Sequence, residues 1–194
     1  MNVIINNKKY QDILTTAKDL FWKYGIKRVS IEEICKEAKV SKMTFYKFFP
    51  NKMELSKTIL DDVIGKSMQK WEQLVKSEIP FQEKVKELFV IKFEVSKNIS
   101  MEFINDIYKN PELGLQPIIE KHKLKSQSLF VEFMIDSQKK GLIRQDIKID
   151  FIMYYINYSS QIMDDEQLLT KYDHPHELIM EVMNFLFYGL SPNK

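Results

Sequence analysis

Apolar positions along the chain recur at intervals of three and four, the period of an amphipathic helix and not the alternation of a strand. Tyr10, Ile13, Leu14, Ala17, Leu20, Phe21 and Tyr24 make one stripe, which Gly25 stops as a C-terminal cap. Ser30-Ile-Glu-Glu33 reads as a capping box, and Ile31, Ile34, Cys35 and Ala38 form the stripe of a short second helix. After the tripeptide KVS, whose Ser41 serves as cap, a third helix runs through KMTFYKFF. It ends before Pro50, because a residue preceding proline is pushed out of the helical region. Asn51 and Glu54 open a long fourth helix with Ile59, Leu60, Val63, Ile64, Met68, Trp71, Leu74 and Val75 on one side, reaching nearly to Pro80. Gly65 lies inside it, at about 1 kcal/mol relative to Ala.

Beyond Pro80 the pattern predicts helices near 81–98, 101–109, 115–140, 150–169 and 174–189, set off by breakers at Pro111, Gly114, Pro117, Gly141 and Pro175. The last two carry FIMYYINY and VMNFLFYGL, apolar on more than one face, so something must cover the second face. A second copy of the chain is the expected cover, with Val182 and Leu186 at the contact. No strand alternation, internal repeat or flexible linker interrupts this layout, and the expected fold class is all-α.

Composition narrows the classes. Only 5 Gly and 6 Pro argue against turn-rich all-β and collagen-like designs, and 44% apolar with 12% aromatic residues argues for a globular chain. Cys35 is the single cysteine, so no intrachain disulfide can form. The first ten residues lack the apolar core of a signal peptide, and the longest apolar run, Phe151 to Ile156, is far short of the roughly 20 residues of a membrane span. The expectation is a cytoplasmic protein with no membrane partner. Net charge is +2, but residues 1–57 hold twelve Lys and Arg against six Asp and Glu, a balance of +6 that leaves −4 for the remainder. A basic head on an acidic body suits a polyanion partner, although a solvated lysine-rich surface has the same signature.

Three short helices, the second and third joined by KVS, have the layout of a helix-turn-helix over about residues 30–49, whose third helix enters the DNA major groove. Ser41, Lys42, Met43, Thr44, Tyr46 and Lys47 fall along the start and exposed side of that helix, where donors and methyl groups meet phosphates and base edges. Phe45 and Phe49 are expected to pack inward. Arg, Asn and Gln, the bidentate readers of guanine and adenine, are absent from it. Lys42 and Lys47 are then the candidates for guanine, with methyl contacts and DNA shape carrying part of the discrimination.

The stretch ILTTAKDLFWKYGIKRVSIEEICKEAKVSKMTFYKFFPNKMEL, with LF..YG, S..EI...A.VS and T.Y..F..K in order, resembles the N-terminal domain of tetracycline-repressor-type (TetR family) regulators. The resemblance is close over roughly residues 8–60 and looser beyond, through helical layout and the phrases KKGLIRQDI and LFYGL. It implies a homodimeric, usually repressive transcription factor on a palindromic double-stranded DNA operator, whose affinity changes when a small molecule enters the C-terminal domain. It also implies phosphate contacts from Tyr46 and Lys52, with Ser30 touching the DNA backbone besides capping its helix. The expected division is a DNA-binding domain over 7–66 and a helical ligand-binding and dimerisation domain over 67–194. Two positions depart from the pattern. Lys39 stands where the family usually has Gly, and Met43 replaces a small residue.

Phe89, Phe93, Met101, Phe103, Phe130, Phe133, Met134, Tyr154, Tyr155 and Tyr158 are the candidate lining of a cavity for a small apolar effector, with ordinary core packing as the competing role. Catalytic constellations are thin. His174 and His176 are two apart and do not share a helix face; a metal site with Asp173 or Glu177 competes with Asp173 as a helix cap. The Asp164-Asp165-Glu166 run reads as solvated surface, and Cys35 on an apolar stripe as core packing more than a redox sensor. No phosphate loop, dinucleotide fingerprint or zinc spacing occurs, so no cofactor is called for and an enzyme is disfavoured. A helical ligand-binding or interaction protein without operator-specific DNA binding is the alternative to a regulator.

Overall fold

A computed structural model describes residues 7–192 apart from 160, 163 and 164. Its elements are α1 (Lys8–Tyr24), α2 (Ile31–Glu37), α3 (Lys42–Phe48), α4 (Lys52–Lys76), α5 (Phe81–Ser96), α6 (Met101–Lys109), a 3-10 turn (Pro111–Leu113), α7 (Gln116–Lys139), α8 (Ile149–Ser159), α9 (Glu166–Leu169) and α10 (Pro175–Gly189). The all-α expectation holds over the described residues. Local chemistry explains the starts: Asn7, Ser30, Ser41 and Ser100 each accept a backbone amide from the first turn of the helix they precede.

The chain packs as two compact units, one of Met1–Val63 with Asn98–Ile119 and the other of Ile64–Lys97 with Glu120–Lys194. The return of Asn98–Ile119 to the first unit was not expected, and its cause is a second buried face on α1. Trp22 lies off the apolar stripe of that helix, yet it is buried against Phe103 of α6 at 4.3 Å between ring centroids, and its carbonyl accepts the Ser100 amide at 2.8 Å. On its other side α1 packs on α2 and α3, and Ile13, Ala17, Phe21, Ile34, Phe45 and Phe49 are all buried as the pattern predicts.

In the second unit Met68, Trp71 and Leu74 of α4 form a core with Leu88, Phe133, Met134, Ile143, Ile152 and Leu190. Phe133 carries the edge of Trp71 at 5.3 Å and stacks on Phe81 at 5.6 Å. Gly141, at φ 68°, ends α7 with the Leu142 amide on the Ser137 carbonyl and its own amide on the Gln138 carbonyl, a paired closure that needs the left-handed region.

Two expectations fail. The helix expected over 150–169 stops at Ser159, and a separate short helix begins after Asp165, whose side chain accepts the Leu168 amide at 3.0 Å. An Asp that caps a new start competes with continuation of the old helix, so Asp165 is a cap and not merely solvated surface. Asp164 lies outside the described residues. At α10 the cap position is His174, not Asp173, and Pro175 occupies the first turn, where its missing N–H removes one amide from those needing a partner. The Asp173 amide instead donates to the Glu177 carboxylate at 3.1 Å.

Two glycines in these helices should respond oppositely to the same change. Gly25 sits at φ 82°, and a Cβ there would stand 2.8 Å from Asp106 Oδ2 and 3.1 Å from Glu102 Cβ. Gly25→Ala should lower stability by roughly 1–3 kcal/mol. A Cβ on Gly65 meets only His122 Cε1 at 3.8 Å within reach, and Gly65→Ala should raise stability by about 0.5–1 kcal/mol. Urea denaturation of both variants against the parent chain checks the two signs.

Candidate nucleic-acid interface

The turn between α2 and α3 is set by backbone hydrogen bonds. The Val40 amide reaches the Cys35 carbonyl at 2.9 Å and the Lys39 amide the Lys36 carbonyl at 3.2 Å, which closes α2 and puts Lys39 at φ 54°. Lys39 is the one non-glycine residue with positive φ among those described, at a cost of about 1–2 kcal/mol. Ser41 then accepts the Thr44 amide at 3.1 Å and pairs with the Thr44 hydroxyl at 3.0 Å. Ser30 completes its capping box, taking the Glu33 amide at 3.1 Å while Glu33 Oε2 accepts the Ser30 amide at 2.8 Å. That contact holds the Glu33 carboxyl below the usual carboxylate range.

Anchored at both ends, α3 has one buried edge and one open face. Phe45 and Phe49 are buried, with Tyr10 stacked on Phe49 at 5.2 Å and edge-on to Phe48 at 5.6 Å. On the open face Met43 is 83% exposed and Tyr46 53%, with Ser41, Lys42 and Lys47 also exposed and Thr44 half-buried. The residues expected to face DNA therefore share a surface, with Tyr46 braced edge-on by Phe45 at 5.4 Å. Lys42 is ion-paired with Glu32 of α2, which lowers the Glu32 carboxyl and raises the Lys42 ammonium. Glu32 was not singled out from sequence. It sets a negative charge beside Lys42 and holds its ammonium toward α2.

Lys52 is placed differently from a free phosphate ligand. Its ammonium donates to the Lys27 carbonyl at 3.0 Å and the Val29 carbonyl at 2.6 Å, leaving one of its three donors. Burial pushes its pKa down, against the pull of Asp106 and Glu33. Asp106, buried on α6, takes the Lys27 amide at 2.9 Å and the Asn110 side-chain amide at 3.3 Å. The α1–α2 loop is thus held through both polar groups of one peptide neighbourhood, by Asp106 on its amide and Lys52 on its carbonyls. Asp106 was missed in the sequence because its partner lies 79 positions away.

Of the candidate effector lining, Phe103 and Met101 belong to the first unit, where Phe103 is buried against Trp22. Phe133 and Met134 are core residues, and Phe130 packs beside Phe133 at 6.4 Å. Phe89 meets Phe187 at 5.8 Å and Phe93 meets His176 at 5.4 Å, both between α5 and α10. Tyr154 and Tyr158 stack on each other on the surface, and Tyr155 stacks with Phe185. Cys35 is buried, which pushes its thiol pKa up, as core packing requires. Among the described residues no three His, Cys, Asp or Glu side chains cluster to hold a metal ion, and the rings of His174 and His176 stack at 5.5 Å.

Residues 13–59, which contain this helix-turn-helix, match the family of bacterial regulatory proteins of tetR type. Over those residues the chain is similar to TetR-family helix-turn-helix transcriptional regulators. It is 28% identical over 193 residues, 97% of this chain and 99% of the relative, to the uncharacterized HTH-type transcriptional regulator YhgD of Bacillus subtilis. It shares its fold with the fatty acid degradation regulator FadR of Bacillus halodurans, at TM-score 0.68 and 18% identity over 95% of this chain and 97% of that one. The FadR of Bacillus subtilis in complex with stearoyl-CoA is also similar, at TM-score 0.63 and 18% identity over 93% and 99%. Among the described residues no helix is long and apolar enough to cross a membrane.

The clamp on the α1–α2 loop yields a stability prediction. Asp106→Ala removes a charged acceptor from a part-buried amide and should cost about 1.5–3 kcal/mol. Lys52→Met keeps the methylene stem but strips two carbonyls of their donor and should cost about 1 kcal/mol. Chemical denaturation read by tryptophan fluorescence measures both; no change in either variant would mean that the loop is held by packing alone.

Proposed function

We propose that the chain is a ligand-responsive repressor that binds a palindromic operator as a homodimer, in the cytoplasm, through the open face of α3. The observation that carries this reading is the sorting of α3 into a buried Phe45 edge and an exposed Lys42, Met43, Tyr46 and Lys47 face. A head with a +6 balance supplies the attraction to phosphates. Met43 is suited to thymine methyl groups and Lys47 to guanine or phosphate oxygens. Lys42 reads next to Glu32, so its contacts favour positions where a carboxylate is also tolerated, such as the exocyclic amine of cytosine. Lys52 contributes to phosphate binding through its remaining donor and through the loop that it holds. The small-molecule arm of the proposal is supported by the like-folded FadR of Bacillus subtilis, whose structure is a complex with stearoyl-CoA.

Support for a dimer comes from α8 and α10. Phe151, Tyr154 and Tyr158 line one side of α8, and Phe185 and Tyr188 one side of α10, with Tyr154 67%, Phe185 69% and Tyr188 81% exposed. Exposed aromatic side chains of this kind mark an interaction surface. Leu186, expected at the contact from sequence, packs on the core of its own unit, so Phe185 and Tyr188 are the residues for a partner to cover. A two-fold pair of heads suits major-groove half-sites spaced by about 34 Å or a small multiple.

Binding to the chain's own upstream DNA, followed by fluorescence anisotropy across a salt series, tests the reading. Tyr46→Phe should weaken binding across sequences, and Lys47→Ala should flatten the slope of log affinity against log salt by about one unit per subunit. Unchanged affinity and slope in both variants would sink it. For the dimer, Phe185→Glu and Tyr188→Glu should each sediment as a folded monomer at micromolar concentration where the parent sediments as a dimer. A parent chain that is itself monomeric there would overturn that arm.

A further inference from the structure

On α5 Val85, Leu88, Phe89, Lys92 and Ser96 fall on one helical stripe, of which Leu88 and Ser96 are buried. Leu88 belongs to the core of the second unit and Ser96 is buried, its hydroxyl bonded back to the Lys92 carbonyl at 2.8 Å. Lys92 stands between them on the same stripe, yet its side chain is solvent-accessible. Desolvation alone pushes its ammonium pKa down, with no carboxylate contributing. Buried Leu88 and Ser96, one turn to either side, put this accessible side chain on the interior side of the helix, where water reaches it only through a concavity. Among the described residues no acid pairs with it, although every other position of this stripe is apolar or small. An ammonium in such a place lacks the counter-charge that makes burial tolerable.

The wall beside it is aromatic and carries a second unmet polar group. Phe89 packs on Phe187 and Phe93 on the ring of His176, whose Nδ1 is buried with no hydrogen-bond partner among the described residues. An apolar wall with one unpaired cation and one unpaired imidazole nitrogen suits a ligand with an apolar body and a single anionic group. We propose that the second unit binds an apolar anion, with Lys92 as its counter-ion and His176 Nδ1 as a further polar contact. The inference rests on the ligand-responsive reading above and narrows the effector expected from sequence, a purely apolar molecule, to one that carries a negative charge.

A matched pair of dyes tests it on the full chain: 1-anilinonaphthalene-8-sulfonate, an apolar aromatic anion, and N-phenyl-1-naphthylamine, the same rings without the sulfonate. Fluorescence titration should show saturable binding of the anion to the parent chain. Lys92→Met should weaken that binding by roughly tenfold or more and leave the neutral dye within about twofold, whereas Lys92→Arg should keep the anion within a few-fold. Removal of an uncompensated ammonium should also raise the melting temperature of the ligand-free Lys92→Met chain. Equal anion binding in the parent and Lys92→Met, a parallel loss of both dyes, no saturable anion binding by the parent, or a lowered melting temperature in Lys92→Met would each overturn the proposal. The DNA reading fails by a different observation, the absence of operator binding by the ligand-free parent chain, which leaves the dye result standing.

Discussion

The peptide between Ile26 and Lys27 and the carbonyls that follow it are the point on which the first unit hangs. Asp106 receives the Lys27 amide, Lys52 donates to the Lys27 and Val29 carbonyls, and Gly25 immediately before leaves room for the carboxylate to approach. These groups come from α1, the start of α4 and α6, so one short loop ties three elements that the apolar core alone would leave free to slide. The loop leads straight into Ser30, whose capping box fixes where α2 begins. The start of α2 fixes the turn at Lys39, and the turn fixes the angle at which α3 presents its open face. A change that loosens the loop would therefore be felt at α3 through a chain of hydrogen bonds, without any residue of the face being touched.

Much of this was readable from the chain because the first unit obeys local rules. Caps at Ser30, Ser41 and Asn51, the Gly25 stop, and the three-and-four spacing of Ile13, Ala17 and Phe21 are all settled within a few residues of where they act. The misreadings share the opposite character. Trp22 is absent from the stripe read in the sequence because its burial depends on Phe103, and Asp106 carried no local signal because its work is done on an amide far back in the sequence. The unbroken helix expected over 150–169 fails for a local reason of another kind: an Asp is acceptable within a helix and better as a cap, and periodicity alone does not decide between the two.

The exposed face of α3 was legible in its membership and less so in its electrostatics. Spacing was enough to place Met43, Tyr46 and Lys47 on one exposed surface, since a seven-residue helix with Phe45 buried has little choice about which side remains. Neither the Glu32–Lys42 pair nor the occupation of two Lys52 donors follows from spacing, because both depend on side chains meeting across turns. In the second unit the gap was wider. Aromatic content suggested a cavity, but helical aromatics serve cores, surfaces and linings alike, and Phe133, Tyr154 and Phe89 turn out to do different things. Lys92, with no acid partner among the described residues, and His176, whose buried Nδ1 has no hydrogen-bond partner among them, are more informative than any aromatic there, since a core has no use for them.

Lys39 has a consequence for how this head can drift in sequence. Its left-handed backbone is a conformation in which glycine is at ease and lysine is strained, so the turn keeps a side chain at the expense of conformational comfort. Replacement by glycine would relax the turn and at the same time remove one of the twelve positive charges of the first 57 residues. Firmness of the turn and electrostatic pull on a polyanion are thus set against each other at a single position. A selection for thermal robustness and a selection for tight DNA attachment would choose different residues there.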